Sequence, residues 1–295
     1  MSFPFNQQKV QVWGVMNVTP DSFSDGGDLT TSEALKEKLA HWLPWIDGVD
    51  IGAESTAPHN AAITTSEERK RLENTLVPLL KSWPKDLTLS LDSYQIPTVE
   101  WLLSVIPKDV STVWNDVSGQ LDQDVIRLLK QHPQLRYVLC FNPIPARAQT
   151  SSHMEYVKEG SSAGHARQFF REKFETLLRE DLFSRVIADP CFGFAKSREQ
   201  NQKLLQELPL LMEELACPHW MWGVSRKSFL RLPAEANPKD PAIRCELDGR
   251  ALLWTKMALE KLRQPHTIIL RTHAPLLSRG LQGWTTLESV WNKNS

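Results

Sequence analysis

The 295-residue chain has few cysteines, no long apolar run and almost no net charge. Its four cysteines are widely spaced and form no C-x-x-C pair, whereas a zinc site or a redox dithiol needs closely spaced thiols. We therefore expect free thiols in a reducing compartment. No run of about 18 apolar residues occurs, so no membrane span is expected. The first residues lack the basic and apolar segments of a signal peptide, which favours a cytoplasmic protein.

The charge balance bears on the kind of partner. The formal net charge is −1, and no long block of like charge interrupts the chain. This gives no electrostatic reason to expect nucleic acid or an anionic membrane as a partner. Small anionic ligands stay open, because they need only a local cluster of positive side chains. With 41% hydrophobic residues, the chain has enough apolar side chains for a sizeable core.

Short apolar runs alternate with longer amphipathic stretches along the chain. The runs predict eight strands: Val10–Val15, Val49–Gly52, Leu87–Leu91, Thr112–Trp114, Tyr137–Cys140, Val186–Ala188, Met221–Val224 and Thr267–Leu270. The stretches predict helices at Ser32–Ile46, Ser66–Leu80, Ile96–Val105, Asp122–Lys130, Ala163–Phe183, Glu199–Leu215, Pro241–Leu262 and after Pro275. Ser66 is expected to cap the second helix.

Eight strand–helix units favour parallel strands joined by right-handed crossovers. We therefore predict an α/β fold, a (β/α)8 TIM barrel, as a single domain over residues 1–295. An open doubly wound sheet is the alternative, but no G-x-G-x-x-G motif follows the first strand. The segments 142–160 and 233–241 are predicted to be loops, and loops of this length are often functional.

Polar side chains follow almost every predicted strand at its C-terminal end. They are Asn17, Glu54-Ser55-Thr56, Asp92, Asn115-Asp116, Asn142, Asp189, Ser225-Arg226-Lys227 and Arg271-Thr272-His273. In a barrel these positions converge on the rim that carries the active site. Each has an ordinary explanation by itself, such as a helix cap at Asn115 or a solvated lysine at Lys227. Eight such positions together indicate a binding site.

The residue types at this rim indicate the kind of ligand. Asp92, Asn115 and Asp189 can exchange in-plane hydrogen bonds with a heterocycle that carries amino and oxo groups. Positive charge comes from a second set of rim residues: Lys227, Arg271 and His273. The amide of Asn17 can hold a metal ion or a phosphate oxygen. The pattern therefore fits a ligand with a flat polar ring at one end and a phosphate at the other.

Several segments then carry a resemblance to a known family. They are MNVTPDSFSDGG (Met16 to Gly27), IGAEST (51–56), SLDS (90–93), NDVSG (115–119), DPCFGFAK (189–196), GVSRKSFL (223–230) and RTH (271–273). In this order and spacing they are similar to the signature motifs of dihydropteroate synthases. The match covers nearly the whole chain, whereas an isolated SRKS would be weak evidence.

This resemblance implies a (β/α)8 barrel and a transferase of folate biosynthesis. The expected substrates are 6-hydroxymethyl-7,8-dihydropterin pyrophosphate and para-aminobenzoate, and the products are 7,8-dihydropteroate and pyrophosphate. Mg²⁺ is the implied cofactor, and a homodimer is the implied assembly.

The resemblance also assigns roles residue by residue. Substrate binding falls to Thr56, Asp92, Asn115, Asp189, Phe194, Gly223, Lys227, Arg271 and His273. The catalytic subset is Asp92, Lys227, Arg271 and His273, and Asn17 takes part in the Mg²⁺–pyrophosphate site. Arg271 should lie against the pterin and reach the pyrophosphate with His273. Thr56 belongs to the second loop, and Phe194 should wall the pterin or para-aminobenzoate pocket.

The chain departs from the family pattern on one side of the site. Ala57 stands where the second loop usually carries an arginine, and Cys191 stands where glycine is usual. CFNP (140–143) replaces a His-Met pair, and RTHAP (271–275) resembles the sulfonamide-resistant Sul synthases. These changes motivate the hypothesis of a working synthase with reduced sulfonamide sensitivity. The competing explanation is drift at Ala57, with Arg147 as a compensating arginine.

Two other functions stay open. A catalytically weak pterin-binding paralogue, acting as a carrier or regulator, would explain the missing loop arginine. A corrinoid-dependent methyltransferase of the related pterin-binding group is disfavoured, because such an enzyme does not need Arg271, His273 or the long TPDSFSDGG loop.

Overall fold

A computed structural model describes residues 8–19, 29–56, 61–231 and 240–281. Ala57, most of the predicted 233–241 loop and most of the MNVTPDSFSDGG motif lie outside these ranges. In the described residues no helix is long and apolar enough to cross a membrane.

Eight parallel strands in the described ranges close into a barrel in chain order. They are β1 (Lys9–Asn17), β2 (Gly48–Gly52), β3 (Thr88–Asp92), β4 (Thr112–Asp116), β5 (Arg136–Cys140), β6 (Val186–Asp189), β7 (His219–Trp222) and β8 (Thr267–Thr272). β8 pairs with β1 and closes the barrel; the paired residues run from Lys9 with Thr267 to Gly14 with Thr272. The predicted (β/α)8 barrel is confirmed.

The predicted seventh strand is misplaced by two residues. The chain leaves the sheet after Trp222 and turns through Ser225 and Arg226, and Arg226 takes a left-handed φ of 56°. The strand therefore ends two residues before the predicted Val224, ahead of the turn at Ser225 and Arg226.

The helices between the strands lie close to their predicted positions. They are α1 (Ser32–Trp42), α2 (Thr65–Thr75), α3 (Ile96–Val105), α4 (Gln123–Gln131), α5 (Ser162–Arg179), α6 (Arg198–Leu215) and α7 (Pro241–Leu259), and residues 275–281 are also helical. The first two end earlier than predicted and continue as 3-10 turns at Leu43–Trp45 and Val77–Ser82. Each turn contains a proline near its start, which removes an α-helical hydrogen bond.

Two other helix boundaries differ from their predictions. The cap of α2 is Thr64, not Ser66, because the Thr64 side chain accepts a hydrogen bond from Glu67 N at 3.2 Å. The fifth helix ends at Arg179, four residues before the predicted end, and Asp181 follows with a left-handed φ of 56°.

Strand alternation divides the barrel interior into layers. Six apolar side chains, each at most 1% exposed, form one buried cluster inside it: Trp13, Val113, Val138, Ile187, Met221 and Ile269. Two residues further along four of these strands come Asn115, Cys140, Asp189 and Arg271, which face the same side because side chains alternate along a strand. These six side chains form an apolar plug that fills the lower part of the barrel. The polar layer lies above this plug, at the C-terminal rim.

Gly48 makes room for this plug. A Cβ atom at Gly48 would lie 2.8 Å from atoms of the Trp13 indole, closer than real contacts allow. The large ring of Trp13 can therefore enter the barrel only beside a glycine on the neighbouring strand. Outside the sheet, a second and larger apolar cluster packs the strands against the helices.

Candidate active site at the C-terminal rim

The structure gathers the predicted polar residues at one end of the barrel. Asn17, Asp92 and Asp189 are the last residues of β1, β3 and β6, and Arg271 is the second-last residue of β8. Because all eight strands are parallel, these ends share one rim. The contacts described below join most of them into one network.

Asp50 lies at the centre of an acidic pocket. It is fully buried on β2, and its carboxylate accepts hydrogen bonds from Ser90 Oγ at 2.5 Å and Asn115 Nδ2 at 3.1 Å. Arg271 Nε donates to Asp50 at 2.5 Å, and Arg271 Nη2 donates to Asp92 at 2.6 Å. One guanidinium thus faces two carboxylates. When both are ionised the trio keeps a negative charge, which suits a ligand that donates hydrogen bonds.

Two carboxyl groups of this layer have raised pKa values. Burial, followed by the charge of Asp50, raises the pKa of Asp92 to about 7, although Arg271 opposes the shift. Burial raises the pKa of Asp189 to about 6 against the hydrogen bond that Cys191 N donates to it. Both groups therefore change charge near neutral pH, as ligand-binding carboxyls in a dry cleft often do.

Cys140 connects the two halves of the acidic layer. Its Sγ lies 3.7 Å from Asn115 Oδ1 and 3.9 Å from Asp189 Oδ2. Burial and the neighbouring Cys191 thiol hold the pKa of Cys140 well above its usual value, with the Cys191 contact as the larger cause. Cys140 is therefore a neutral thiol that fills the floor of the pocket.

Asn115 and Asp116 have different roles, although the sequence pattern groups them. They are neighbours on β4, so their side chains lie on opposite faces. Asn115 enters the pocket, whereas Asp116 contacts Tyr137 Oη at 2.9 Å and Arg147 Nη1 at 2.9 Å outside it. Arg147 also binds Asp122 at 3.1 Å, so its terminal nitrogens hold the long loop after β5. This arrangement does not support Arg147 as a replacement for a ligand-binding loop arginine.

A cationic cluster lies beside the acidic pocket, at the ends of β7 and β8. Burial, followed by the positive charges of Arg226, Arg271 and Lys227, holds the pKa of His273 well below its ordinary value. The backbone N–H of His273 donates to Ser225 Oγ at 3.1 Å. Several partly buried cations around a neutral histidine form a ready site for an anion such as phosphate.

Arg226 is held in place by an acidic partner. Its Nη2 donates to Asp248 Oδ2 at 2.9 Å and its Nε contacts both carboxylate oxygens at 3.1 Å. Gly223 lies beside Arg271, since a Cβ atom on Gly223 would lie 3.9 Å from Arg271 Cδ. Asp248 thus fixes Arg226, and Gly223 leaves room for the Arg271 side chain beside the end of β7.

The loop after β6 carries three left-handed residues: Cys191 at φ 53°, Gly193 at φ 88° and Ala195 at φ 46°. The side chain of Cys191 therefore carries a steric cost at this position, because glycine adopts a left-handed conformation without one. Lys196 stabilises the loop from within. Its buried Nζ donates to the carbonyls of Phe141 at 3.0 Å, Cys191 at 3.0 Å and Phe194 at 2.8 Å. Burial lowers the pKa of Lys196 to about 8.

Phe194 and Thr56 lie at the upper edge of the site. The Lys227 ammonium lies 5.0 Å from the centre of the Phe194 ring. The Phe194 ring also stacks on His153, whose ring centre is 4.3 Å away, and His153 contacts Thr56 O at 3.2 Å. Thr56 therefore joins the rim through its backbone, next to the aromatic wall.

The metal site implied at Asn17 is a single amide at the end of β1. Among the described residues no group of three or more His, Cys, Asp or Glu side chains is placed to hold a metal ion. Mg²⁺ commonly binds through one or two protein oxygens together with substrate phosphates and water. The donor set fits a metal that arrives with a phosphorylated substrate.

Sequence reasoning missed three groups of this site. Asp50 had a visible signal, because a carboxylate interrupts the apolar run of β2. Lys196 lies inside a recognised motif, but nothing in a sequence shows that its ammonium turns inward. His153 lies in the long loop after β5, and no local pattern there indicates a buried ring.

A parallel barrel with an acidic pocket and a cationic cluster on one rim defines a protein that binds a polar ligand of mixed charge. The sequence agrees, because the family model for pterin binding enzymes matches residues 13–258. Dihydropteroate synthase from Neisseria meningitidis serogroup B is 30% identical over 244 residues, covering 80% of this chain and 81% of the relative. The fission yeast folic acid synthesis protein fol1 is 27% identical over 231 residues, covering 77% of this chain and 30% of fol1.

A solved structure of a related protein has the same fold as this chain. Xanthomonas albilineans dihydropteroate synthase with 4-aminobenzoic acid has a TM-score of 0.74 and 25% identity, covering 95% of this chain and 93% of that one. The chain belongs to the family of pterin-binding enzymes, and the resemblance predicted from its motifs is confirmed.

Proposed function

We propose that the chain is a dihydropteroate synthase, which joins 6-hydroxymethyl-7,8-dihydropterin pyrophosphate to para-aminobenzoate and releases pyrophosphate. Family membership and relatives of that activity support it. The observation that carries the proposal is the pairing of an acidic pocket with a cationic cluster across Arg271, which contacts Asp50 and Asp92 and contributes to the field at His273. A pterin ring and a pyrophosphate on one substrate match these two halves.

The acidic pocket receives the pterin. Asp92 and Asp189 accept hydrogen bonds from ring N–H groups, and Asn115 can both donate and accept. The carboxylates also stabilise positive charge that spreads into the ring as the bond to oxygen breaks. Their position above the apolar plug excludes water from one side, which strengthens these interactions.

The cationic cluster receives the pyrophosphate. The bond between the pterin methylene carbon and the bridging oxygen breaks, and both electrons leave with pyrophosphate. Arg271, Lys227 and His273 stabilise the charge that develops on this leaving group. Asn17 would hold Mg²⁺, which would supply further neutralisation of the negative charge on this leaving group.

The third part of the site receives para-aminobenzoate. Phe194 and the Thr56 segment form its wall, and Lys227 lies across the Phe194 ring. The aniline nitrogen attacks the methylene carbon directly, forms the new C–N bond and then loses a proton. The protein therefore needs to orient this amine and exclude water, and no side-chain nucleophile takes part.

The experiment that tests the proposal is incubation of purified protein with the pterin pyrophosphate, para-aminobenzoate and Mg²⁺. Formation of dihydropteroate and pyrophosphate in equal amounts supports synthase activity. Pterin binding without product supports a catalytically weak carrier or regulator instead. An omission series without Mg²⁺ tests whether the metal is needed.

Pterin affinity is expected to fall as the pH falls through neutrality. The ligand requires ionised carboxylates, and the pKa of Asp92 is raised to about 7. Binding then releases a proton, so affinity at pH 6 should be roughly tenfold weaker than at pH 8. Asp189, with a pKa of about 6, steepens the loss at lower pH. Calorimetry in buffers of different ionisation enthalpy counts the protons, after subtraction of the ligand's own titration, and a flat profile would contradict this assignment.

We further propose that the enzyme is less sensitive to sulfonamides than ordinary synthases. Support comes from Ala57 and Cys191, which replace the family's usual arginine and glycine, and from the Sul-like RTHAP segment. Inhibition by sulfamethoxazole should require a concentration about tenfold or more above that for the Neisseria relative, equivalent to about 1.4 kcal/mol of binding energy. Ala57→Arg is expected to restore part of the sensitivity. Equal inhibition of the two wild-type enzymes would count against the idea.

Assembly and location complete the proposal. We infer a homodimer in the cytoplasm. Exposed apolar side chains on α7, such as Leu253 and Met257, support a contact between copies. The four free thiols, three of them buried, suit a reducing compartment.

A further inference from the structure

A buried histidine joins three loops of the rim. His153 begins a 3-10 turn in the long loop after β5 and is 1% exposed. Its Nδ1 accepts a hydrogen bond from Ala195 N at 3.1 Å, so that nitrogen carries no proton. The proton is therefore on Nε2, which donates to Thr56 O at 3.2 Å. The loops after β2 and β6 are thus tied to the same imidazole.

The same ring supports the aromatic wall. His153 stacks on Phe194 with ring centres 4.3 Å apart and an angle of 29°. Phe194 also lies beneath the Lys227 ammonium. Burial, opposed by the contact to Thr56 and aided by Lys227 and Lys196, lowers the pKa of His153 to about 4. The imidazole therefore stays neutral near pH 7 and keeps one tautomer.

His153 is separate from the pterin pocket. Its contacts are Thr56, Ala195 and Phe194, whereas the pterin pocket is built from strand residues around Asp50. The second loop has other anchors at its two ends. Arg71 Nη1 holds Ala53 O at 3.0 Å and Gln95 Nε2 holds Ile63 O at 3.3 Å. Within the described residues, the imidazole of His153 links Thr56 to Ala195 in the loop after β6.

We propose that His153 is a positioning residue for para-aminobenzoate, which fixes the Thr56 segment and Phe194 at the distance that the aromatic amine requires. The inference rests on the proposed synthase activity. In this role His153 acts through Thr56 and Phe194, and it needs no contact of its own with a substrate. Its expected signature is a change in the KM for one substrate and not the other.

The test is steady-state kinetics for both substrates on four proteins: wild type, His153→Phe, His153→Gln and His266→Phe. Phenylalanine keeps a ring against Phe194 but leaves Thr56 O and Ala195 N without a partner. We expect the KM for para-aminobenzoate to rise about tenfold, the effect of losing one to two hydrogen bonds. The KM for the pterin pyrophosphate should change less than about twofold, because the acidic pocket is unaltered. Glutamine can still donate to Thr56 O and should recover part of the loss.

His266→Phe is the matched control. His266 is also buried and contacts a backbone carbonyl, Cys217 O at 3.1 Å, but it precedes β8 at the opposite end of the barrel. It should lower thermal stability without changing either KM. Equal KM changes in His153→Phe and His266→Phe, or a parallel rise for both substrates, would overturn the inference. If wild type forms no dihydropteroate, the proposed function fails and this inference fails with it; normal wild-type turnover with an unchanged His153→Phe removes the inference alone.

Discussion

Replacing Asp92 with asparagine is expected to reduce kcat/KM for the pterin pyrophosphate by about 10²–10⁴-fold. Asp92 is one of two carboxylates on the Arg271 guanidinium, at 2.6 Å from Nη2. The amide loses a charged acceptor for the pterin and can turn an N–H₂ group toward the guanidinium. A hydrogen bond to a charged group contributes about 1.5–3 kcal/mol, and each 1.36 kcal/mol is a factor of ten. Two affected bonds give the expected range.

The fold should survive this change, because Arg271 keeps its contact with Asp50. Asp109→Asn is a matched control, since Asp109 is exposed in the connection that leads into β4 at the other end of the barrel. Kinetics, pterin binding by calorimetry and thermal unfolding should be measured on both variants. In Asp92→Asn, pterin affinity should no longer change near pH 7, where the raised pKa of Asp92 places its titration. Turnover and pterin affinity close to wild type would show that Asp92 does not bind the ring.

Strand–helix alternation was sufficient to predict the barrel because each unit is short and strongly patterned. The predicted helix and strand boundaries are wrong where a local backbone feature interrupts the hydrophobic pattern. Pro44 and Pro78 convert helix ends into 3-10 turns, and β7 ends at Trp222, ahead of the turn that contains the left-handed Arg226. Prolines are visible in a sequence, whereas the left-handed φ of Arg226 is not, since its partner Asp248 lies 22 residues further along the chain.

The site was predictable to the extent that it follows strand ends. Asp92 and Asp189 end their strands and Arg271 is second-last in β8, so parallel topology alone brings them together. Asp50 was missed because the pattern used was the strand end, and Asp50 lies two residues before the end of β2. Alternation assigns it to the interior once the strand bounds are known.

Loop residues lie beyond such reasoning. His153 and Arg147 occupy one long loop after β5, and each meets partners from distant parts of the chain. Arg147 binds Asp116 on the outer face of the end of β4, whereas His153 binds Thr56 and Ala195 at the upper edge of the site. The loop is therefore anchored at two points, and loss of the Arg147 anchor should affect the His153 anchor.

Replacing Arg147 with methionine is expected to cost about 3–5 kcal/mol of unfolding free energy, because it leaves a buried carboxylate without its cation. Asp116 is fully buried, and both of its oxygens lie 2.9 Å from Arg147 Nη1. For a chain of this size the loss corresponds to a Tm lower by about 5–10 °C. Burial already raises the pKa of Asp116, with Arg147 as the main opposing charge. Without that charge the folded-state pKa rises further.

The pH dependence separates this cause from a general packing defect. A carboxyl whose folded-state pKa is raised destabilises the fold as the pH rises above its unfolded-state pKa, so the Tm deficit should be larger at pH 8 than at pH 5. Arg127→Met is the control, because Arg127 forms exposed ion pairs with Glu100 and Asp124, and exposed pairs contribute little. The double variant Asp116→Asn/Arg147→Met removes both charges and should regain much of the loss. A deficit that is independent of pH and persists in the double variant would assign the role of Arg147 to packing alone.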